Sequence, residues 1–256
     1  MKLIYRPRGA AGEYARFAVN FYLGCPNGCR YCYLKRGVGA KVLGGDTPTL
    51  KAGYNNVIWE IEDFRIDVMR NTKRLKEGGL FLSFTTDPMV TDTYQATIKA
   101  VEICLPYGIP VTILTKYANH YSDLQKSVPK EYADLVTFGV TLTGHDELEP
   151  GASRTADRIR ALGAARDYGF RTFVSLEPVI DFASSIQMIC DAVEYAGEFR
   201  IGLKTPVKSG NYPLNGMRWF IKTARAICER HGVRIVWKDS FLKLADKYGI
   251  NDYDIW

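Results

Sequence analysis

Two hydrophobic periods alternate along this chain, and the switches between them outline its architecture. Leu80–Thr86, Val111–Lys116, Leu135–Thr143, Thr172–Leu176 and Phe199–Leu203 are short runs rich in apolar residues, bounded by glycine, proline or polar residues. Runs of this length and make-up predict strands, and Phe17–Tyr22 predicts one more near the N-terminus. Between them, apolar residues recur every three or four positions. Val57, Ile61, Phe64 and Val68 mark one predicted helix. Others are predicted around 94–105, 121–134, 184–196 and 216–231. Ile159, Leu162 and Ala165 form the core face of another, with Ser153 as its cap and Gly169 as its stop. Val233–Trp237 fits either a final strand or an extended return.

Strand followed by helix, repeated about six times, predicts a parallel sheet with helices outside. At 256 residues the chain is too short for a full eight-unit barrel. It fits an α/β fold of the partial (β/α)6 TIM-like open-barrel kind. No linker, repeat or low-complexity stretch divides it, so one domain is expected over 1–256, with a core at about 15–205 and C-terminal helices over 206–256. The Gly-rich segment 35–54 is a long connection, and long connections in compact domains are usually functional. Barrels of this kind carry their chemistry at the C-terminal ends of the strands.

The strand-one end leads into Cys25-Pro-Asn-Gly-Cys29-Arg-Tyr-Cys32. Pro26 fixes one φ and Asn27-Gly28 tolerates a tight turn, so the backbone can wrap an inorganic group. Three thiolates on one loop can hold three corners of a cubane iron–sulfur cluster, which normally takes four. The next cysteine is Cys104, so one iron is left open for a ligand. A zinc site would need a fourth ligand from a distance, the nearest histidine in sequence being His120. A disulfide with a spare thiol would be strained at this spacing. Cys104, Cys190 and Cys228 stand singly on apolar stripes and are expected in the core.

The other strand ends carry Ser83, Thr85, Thr86 and Asp87, then Lys116, Thr141 with Thr143, Glu177, and Lys204. Lys204 is placed to pair with Glu177 or a substrate phosphate. His120, His145 and His231 complete no nucleophile–base pattern, which leaves hydrolytic catalysis without support.

These segments resemble the radical S-adenosylmethionine enzymes. The Cys-x3-Cys-x2-Cys loop with aromatic Tyr31 before the third cysteine matches their hallmark. Asn20-Phe-Tyr-Leu-Gly-Cys-Pro-Asn-Gly-Cys-Arg-Tyr-Cys-Tyr33, Ser83-Phe-Thr-Thr-Asp-Pro88, Ile113-Leu-Thr-Lys116 and Ser175-Leu-Glu-Pro-Val179 resemble the subgroup around spore photoproduct lyase. The resemblance implies a 4Fe–4S cluster on Cys25, Cys29 and Cys32, with S-adenosyl-L-methionine on its open iron. It assigns the cofactor's amine to Ser83, Thr85, Thr86 and Asp87, and its carboxylate to Lys116. Tyr31 is expected near adenine, Thr141 and Thr143 as hydroxyl contacts, and Glu177 at the ribose or the substrate. A one-electron reductant such as flavodoxin or ferredoxin is implied as partner. The lyases carry an extra cysteine at the end of strand two as hydrogen donor. This chain has Ser83-Phe84-Thr85-Thr86 there, so Tyr33 or a neighbouring tyrosine is the expected donor.

Net charge is +6, and Lys2, Arg6, Arg8, Arg16, Arg30, Lys35, Arg36 and Lys41 face only Glu13 before Asp46. Such a bias attracts anions, and with Lys204 and Arg218 it predicts a positive rim at the barrel mouth for a nucleic acid or another anionic substrate. The alternatives are a radical enzyme acting on a peptide or small metabolite, and a non-catalytic iron–sulfur or zinc protein. No eighteen-residue apolar run exists and the N-terminus has no apolar signal core, so a cytoplasmic protein without membrane contact is expected.

Overall fold

The computed structural model describes residues 3–36, 39–51 and 57–250. In chain order its elements are β1 (Ala18–Val19), β2 (Tyr22–Leu23), α1 (Ala40–Leu43), β3 (Thr49–Leu50), α2 (Val57–Gly78), β4 (Leu80–Leu82), α3 (Tyr94–Cys104), β5 (Val111–Thr115) and α4 (Tyr121–Ser127). There follow β6 (Val136–Thr141), α5 (Thr155–Tyr168), β7 (Arg171–Val179), α6 (Phe182–Ala192), β8 (Glu198–Leu203), α7 (Leu214–His231), β9 (Arg234–Trp237) and α8 (Asp239–Lys247). Seven strands form one sheet in the order β1-β4-β5-β6-β7-β8-β9, every pair parallel. The six expected units are present as a partial TIM-like open barrel, and 233–237, open between strand and return, adds a seventh strand. β3 of the Gly-rich connection, which also holds α1, pairs separately and antiparallel with β2, which precedes the cysteine loop. Gly37 of that connection lies outside the described residues.

The strands are apolar on both faces because helices cover one side and side chains fill the other. β6 is buried at all but one position, and β7 at seven of nine. α7 buries Met217, Phe220, Ile221, Ala224 and Cys228, the spacing of one helical face. Phe220 meets Phe182, Trp237 and Phe241, which joins α7 to α6, β9 and α8. Cys104 and Cys228 are buried as expected; Cys190 is exposed, because it falls on the outward side of α6.

The caps also differ from expectation at one point. Ser153 does not cap α5: its hydroxyl accepts from the Ala118 amide at 2.8 Å and donates to Asn119. Asp146 accepts from the Thr155 amide instead, at 3.1 Å. Asp181 caps α6 through the Ser184 amide at 2.8 Å.

Gly139 in β6 is fixed by close approach. It pairs with Phe173 of β7, whose ring would lie 2.1 Å from a Cβ added at 139. Gly139→Ala must therefore push a ring that is 1% exposed, and overpacking of this kind costs about 1–3 kcal/mol. The expected result is a lower urea midpoint at unchanged slope; an unchanged midpoint would show that the ring turns aside freely.

Candidate active site

The C-terminal ends of the strands surround a cavity of about 440 Å3. Cys25, Cys29 and Cys32 all face it. The cysteine loop is fastened on three sides: the Cys25 amide donates to Gly45 at 2.8 Å, Arg30 to Leu148 at 2.9 Å, and Gly151 to Asn27 at 3.0 Å. Gly28 supplies the turn with φ +63°, a conformation L side chains rarely adopt. Burial, with the Asp87 carboxylate adding, pushes the Cys25 thiol up to about 12. Burial likewise raises Cys29, against the pull of Lys116.

Asp87 locks this loop to the sheet. One carboxylate oxygen accepts from Asn27 Nδ2 and the Lys116 amide, both at 2.8 Å; the other accepts from Thr115 Oγ1 at 2.6 Å and the Met89 amide at 3.0 Å. All four acceptor positions are therefore taken, although Asp87 lines the cavity. Two atoms beside it are not satisfied. Asn27 Oδ1 and Thr86 Oγ1 are buried and have no hydrogen-bond partner. Both residues line the cavity. Such atoms are rare and mark a place for a ligand or water.

Lys116 projects into the same cavity, with its ammonium 5.6 Å from the Tyr31 ring centroid. No carboxylate among the described residues pairs with it. Tyr31 donates to Glu149, and Glu149 accepts from Arg158 at 2.6 Å. Burial, then the Glu149 charge, raises the Tyr31 phenol strongly. Arg158 is fully buried and also reaches the Ser153 and Thr141 carbonyls at 2.9 and 2.7 Å and Asp146 at 3.1 Å. Reading by sequence passed over Glu149 and Arg158, since an arginine in a charged helix carries no local sign of burial.

Tyr14, Ser175, Glu177, Lys204 and Lys238 line the cavity as well. Tyr14 is hydrogen-bonded to Ser175 and Glu177, each at 2.6 Å. Burial and the Glu177 charge hold its phenol well above the usual range. Lys238, not Lys204, pairs with Glu177, at 2.5 Å, and stands 3.8 Å from the Tyr14 ring centroid. That leaves Lys204, which also lines the cavity, without a carboxylate partner among the described residues. Phe81 and Phe84 stack at 4.3 Å beside Tyr14.

Of the sequence-predicted residues, Cys25, Cys29, Cys32, Tyr31, Tyr33, Ser83, Thr86, Asp87, Lys116, Thr141 and Glu177 meet at this cavity. Two do not line it. Thr85 turns its hydroxyl to the Tyr22 carbonyl at 2.5 Å, and Thr143 accepts from the His145 amide at 3.2 Å. Tyr33 lies at the rim, 61% exposed. The expected basic rim also changes: Arg218 lies in a separate groove on α7 with Lys222 and Arg225, and Arg6 lies by Phe17. No three His, Cys, Asp or Glu side chains among the described residues converge as a single-ion site.

No protein-family model matches this chain. Over an alignment 192 positions long that covers 70% of the chain, it is 29% identical to uncharacterized protein ORF301 of Acidianus two-tailed virus. The match spans 61% of that protein's length. Among solved structures, a spore photoproduct lyase mutant with bound AdoMet and dinucleoside spore photoproduct has a TM-score of 0.67 at 12% identity, over 91% of this chain and 79% of that one. A second lyase mutant has a TM-score of 0.68 at 15% identity, with the same coverage. The chain has the fold of spore photoproduct lyase. The likeness carried by the four sequence blocks thus extends across the whole α/β body. In the described residues no helix is long and apolar enough to cross a membrane.

Arg158→Met leaves Glu149, 2% exposed, as an uncompensated buried charge. The expected loss is about 3–5 kcal/mol in chemical denaturation, with Glu149→Gln in the same chain recovering part of it. Loss of less than about 1 kcal/mol would mean that water already reaches this pair.

A pH-dependent bond lies outside the cavity. His145 contacts Asp181 at 2.7 Å and Glu147 at 2.8 Å. Burial opposes its charge, but the two carboxylates raise its pKa, and both carboxylates are lowered in return. The imidazolium contribution is complete below about 6.5 and fades as pH rises through the raised folded value; the carboxylate contribution is present above about 4 and fades as pH falls. The melting-temperature gap between the protein and His145→Gln is expected to peak between these limits. A gap independent of pH would remove the charge from the account.

Proposed function

We propose that the protein is a radical S-adenosylmethionine enzyme acting on an anionic substrate, with nucleic acid as the leading class. The observation that carries the proposal is a single cavity holding three thiols, two unsatisfied buried acceptors and an ammonium without an anion. Cys25, Cys29 and Cys32 hold the 4Fe–4S cluster. The three thiols line one cavity on one short loop, so Cys25, Cys29 and Cys32 are the residues that would hold it. When bound, the reduced cluster supplies the electron that cleaves S-adenosylmethionine to methionine and a 5′-deoxyadenosyl radical.

The chain's own residues bind, orient and exclude water. Lys116 takes the methionine carboxylate. Thr86 Oγ1 and Asn27 Oδ1 are the unsatisfied acceptors beside it and fit the amine. Ser83 and Thr141 line the same stretch, while Asp87 holds the frame rather than the ligand. Glu177, neutralised by Lys238, fixes Tyr14; the stacked Phe81 and Phe84 keep the substrate end dry. Tyr14 is the enclosed phenol there, and it replaces the rim residue Tyr33 as the candidate hydrogen donor. Lys204 receives the substrate's anionic group. The electron comes from a small reductant protein of the flavodoxin or ferredoxin class.

Anaerobic reconstitution is expected to load about four irons on three cysteines. Cys25→Ala, Cys29→Ala and Cys32→Ala should each abolish the brown absorbance and all formation of 5′-deoxyadenosine. Lys116→Ala should weaken S-adenosylmethionine binding by about 1.5–3 kcal/mol, measured by calorimetry under nitrogen. An unchanged dissociation constant in that variant, or retained cleavage in any cysteine variant, sinks the reading. Deuterium transfer from labelled substrates into 5′-deoxyadenosine then identifies the substrate class.

A further inference from the structure

The starts of β1 and β4 lie at the opposite end of the sheet from the cavity, and three guanidiniums gather there. Arg6, Arg16 and Arg74 place Cζ at 5.4, 5.8 and 5.3 Å from the centroid of one ring, Phe17. Phe17 is 4% exposed, whereas the three arginines are exposed. They come from three separate pieces of chain. Arg6 follows Tyr5, which clips the N-terminal segment to β1 by hydrogen bonds to Ala18 at 3.0 and 2.9 Å. Arg16 precedes Phe17, and Arg74 lies near the C-terminal end of α2.

Nothing in the described residues neutralises them. None of the three makes an ion pair with a carboxylate. Asp67 accepts from the Leu3 amide at 2.7 Å, and Glu77, one turn beyond Arg74, makes no ion pair. The α2 dipole favours a cation at its last turn and so accounts for Arg74 alone. A ring attracts a guanidinium over its face, but one ring serves two faces and here meets three cations. Gathering like charges without an acid is unfavourable unless an anion is the intended neighbour. Arg70 and Lys73 extend the positive surface along α2, both exposed.

We propose that Arg6, Arg16 and Arg74 form a binding site for closely spaced phosphate groups, separate from the cavity and independent of its radical chemistry. The guanidinium fork matches phosphate oxygens in pairs, and all three guanidiniums lie within 5.8 Å of one ring centroid. Buried Phe17 acts as the fixed platform that keeps them together. The phosphates belong either to a free nucleotide-type polyphosphate or to a nucleic-acid strand, and the two sources share this chemistry.

The test uses the purified protein with inorganic triphosphate as probe, followed by calorimetry. Saturable binding is expected, about tenfold weaker for each guanidinium removed in Arg16→Ala and Arg74→Ala. Arg218→Ala, equally basic but on α7, should bind as the parent does. Phe17→Leu should weaken the probe although every charge remains. Absence of binding, or equal weakening by Arg218→Ala, overturns the site. A labelled single-stranded oligonucleotide then separates the sources. Competition with triphosphate, and a log–log salt slope reduced by about 1.4 in the Arg16→Ala/Arg74→Ala chain, assigns the strand. Triphosphate binding without competition assigns the free polyphosphate.

Discussion

One carboxylate joins the chemistry-bearing loop to the sheet. Asp87 collects Asn27 from the cysteine loop, Thr115 and the Lys116 amide from the end of β5, and Met89 from its own turn. The strand that leads to the loop, β1, is only two residues long, so the loop depends on contacts made beyond it. Each donor would leave a buried polar group unpaired if the carboxylate were gone, and such orphans cost far more than a made bond returns. The same contact sets where Lys116 leaves the backbone. The thiols and the ammonium are thus placed by one shared anchor, and neither can shift without the other.

The second restraint on the loop comes from the other side. Tyr31, Glu149 and Arg158 run from the cysteine loop into α5, with Arg158 reaching the Thr141 carbonyl at the end of β6. A buried ion pair of this kind is a poor source of stability but a strict source of geometry, since its partners must be aligned for the charges to be tolerated at all. Asp87 and Glu149 therefore hold the loop from two sides. Such rigidity would serve the proposed chemistry, because positioning of reacting groups is sensitive to shifts of about 1 Å.

How much of this was legible beforehand depends on the range of the signal. The strands β5 to β8 and the helices between them follow from local periodicity, and the cysteine loop announces itself by spacing. Lys116 and Glu177 were legible as polar residues closing apolar strands. Lys238 and Tyr14 were not. Each meets Glu177 only because β9 and the N-terminal segment return to the barrel mouth, 61 and 163 residues away in sequence. Asp87 was legible as a strand-end acid, but its four partners lie on three segments, so its structural work could not be told from ligand binding. Cys190 shows the same limit at smaller scale: one turn of helix decides whether a cysteine faces core or solvent.

The charges around the cavity fall into two groups, and the division explains what the site can accept. Asp87 is filled by internal donors on both oxygens, and Glu177 is paired with Lys238 and bonded to Tyr14 through Oε2. Lys116 and Lys204 also line the cavity, without carboxylate partners among the described residues. In a partly enclosed space their attraction for anions exceeds what water would allow. The lysines lend the cavity a positive character, and the Tyr14, Phe81 and Phe84 rings add an apolar surface to the same lining. A bound molecule with an anionic group and a flat or apolar part would meet both, which ties the proposed reading to shape and charge together.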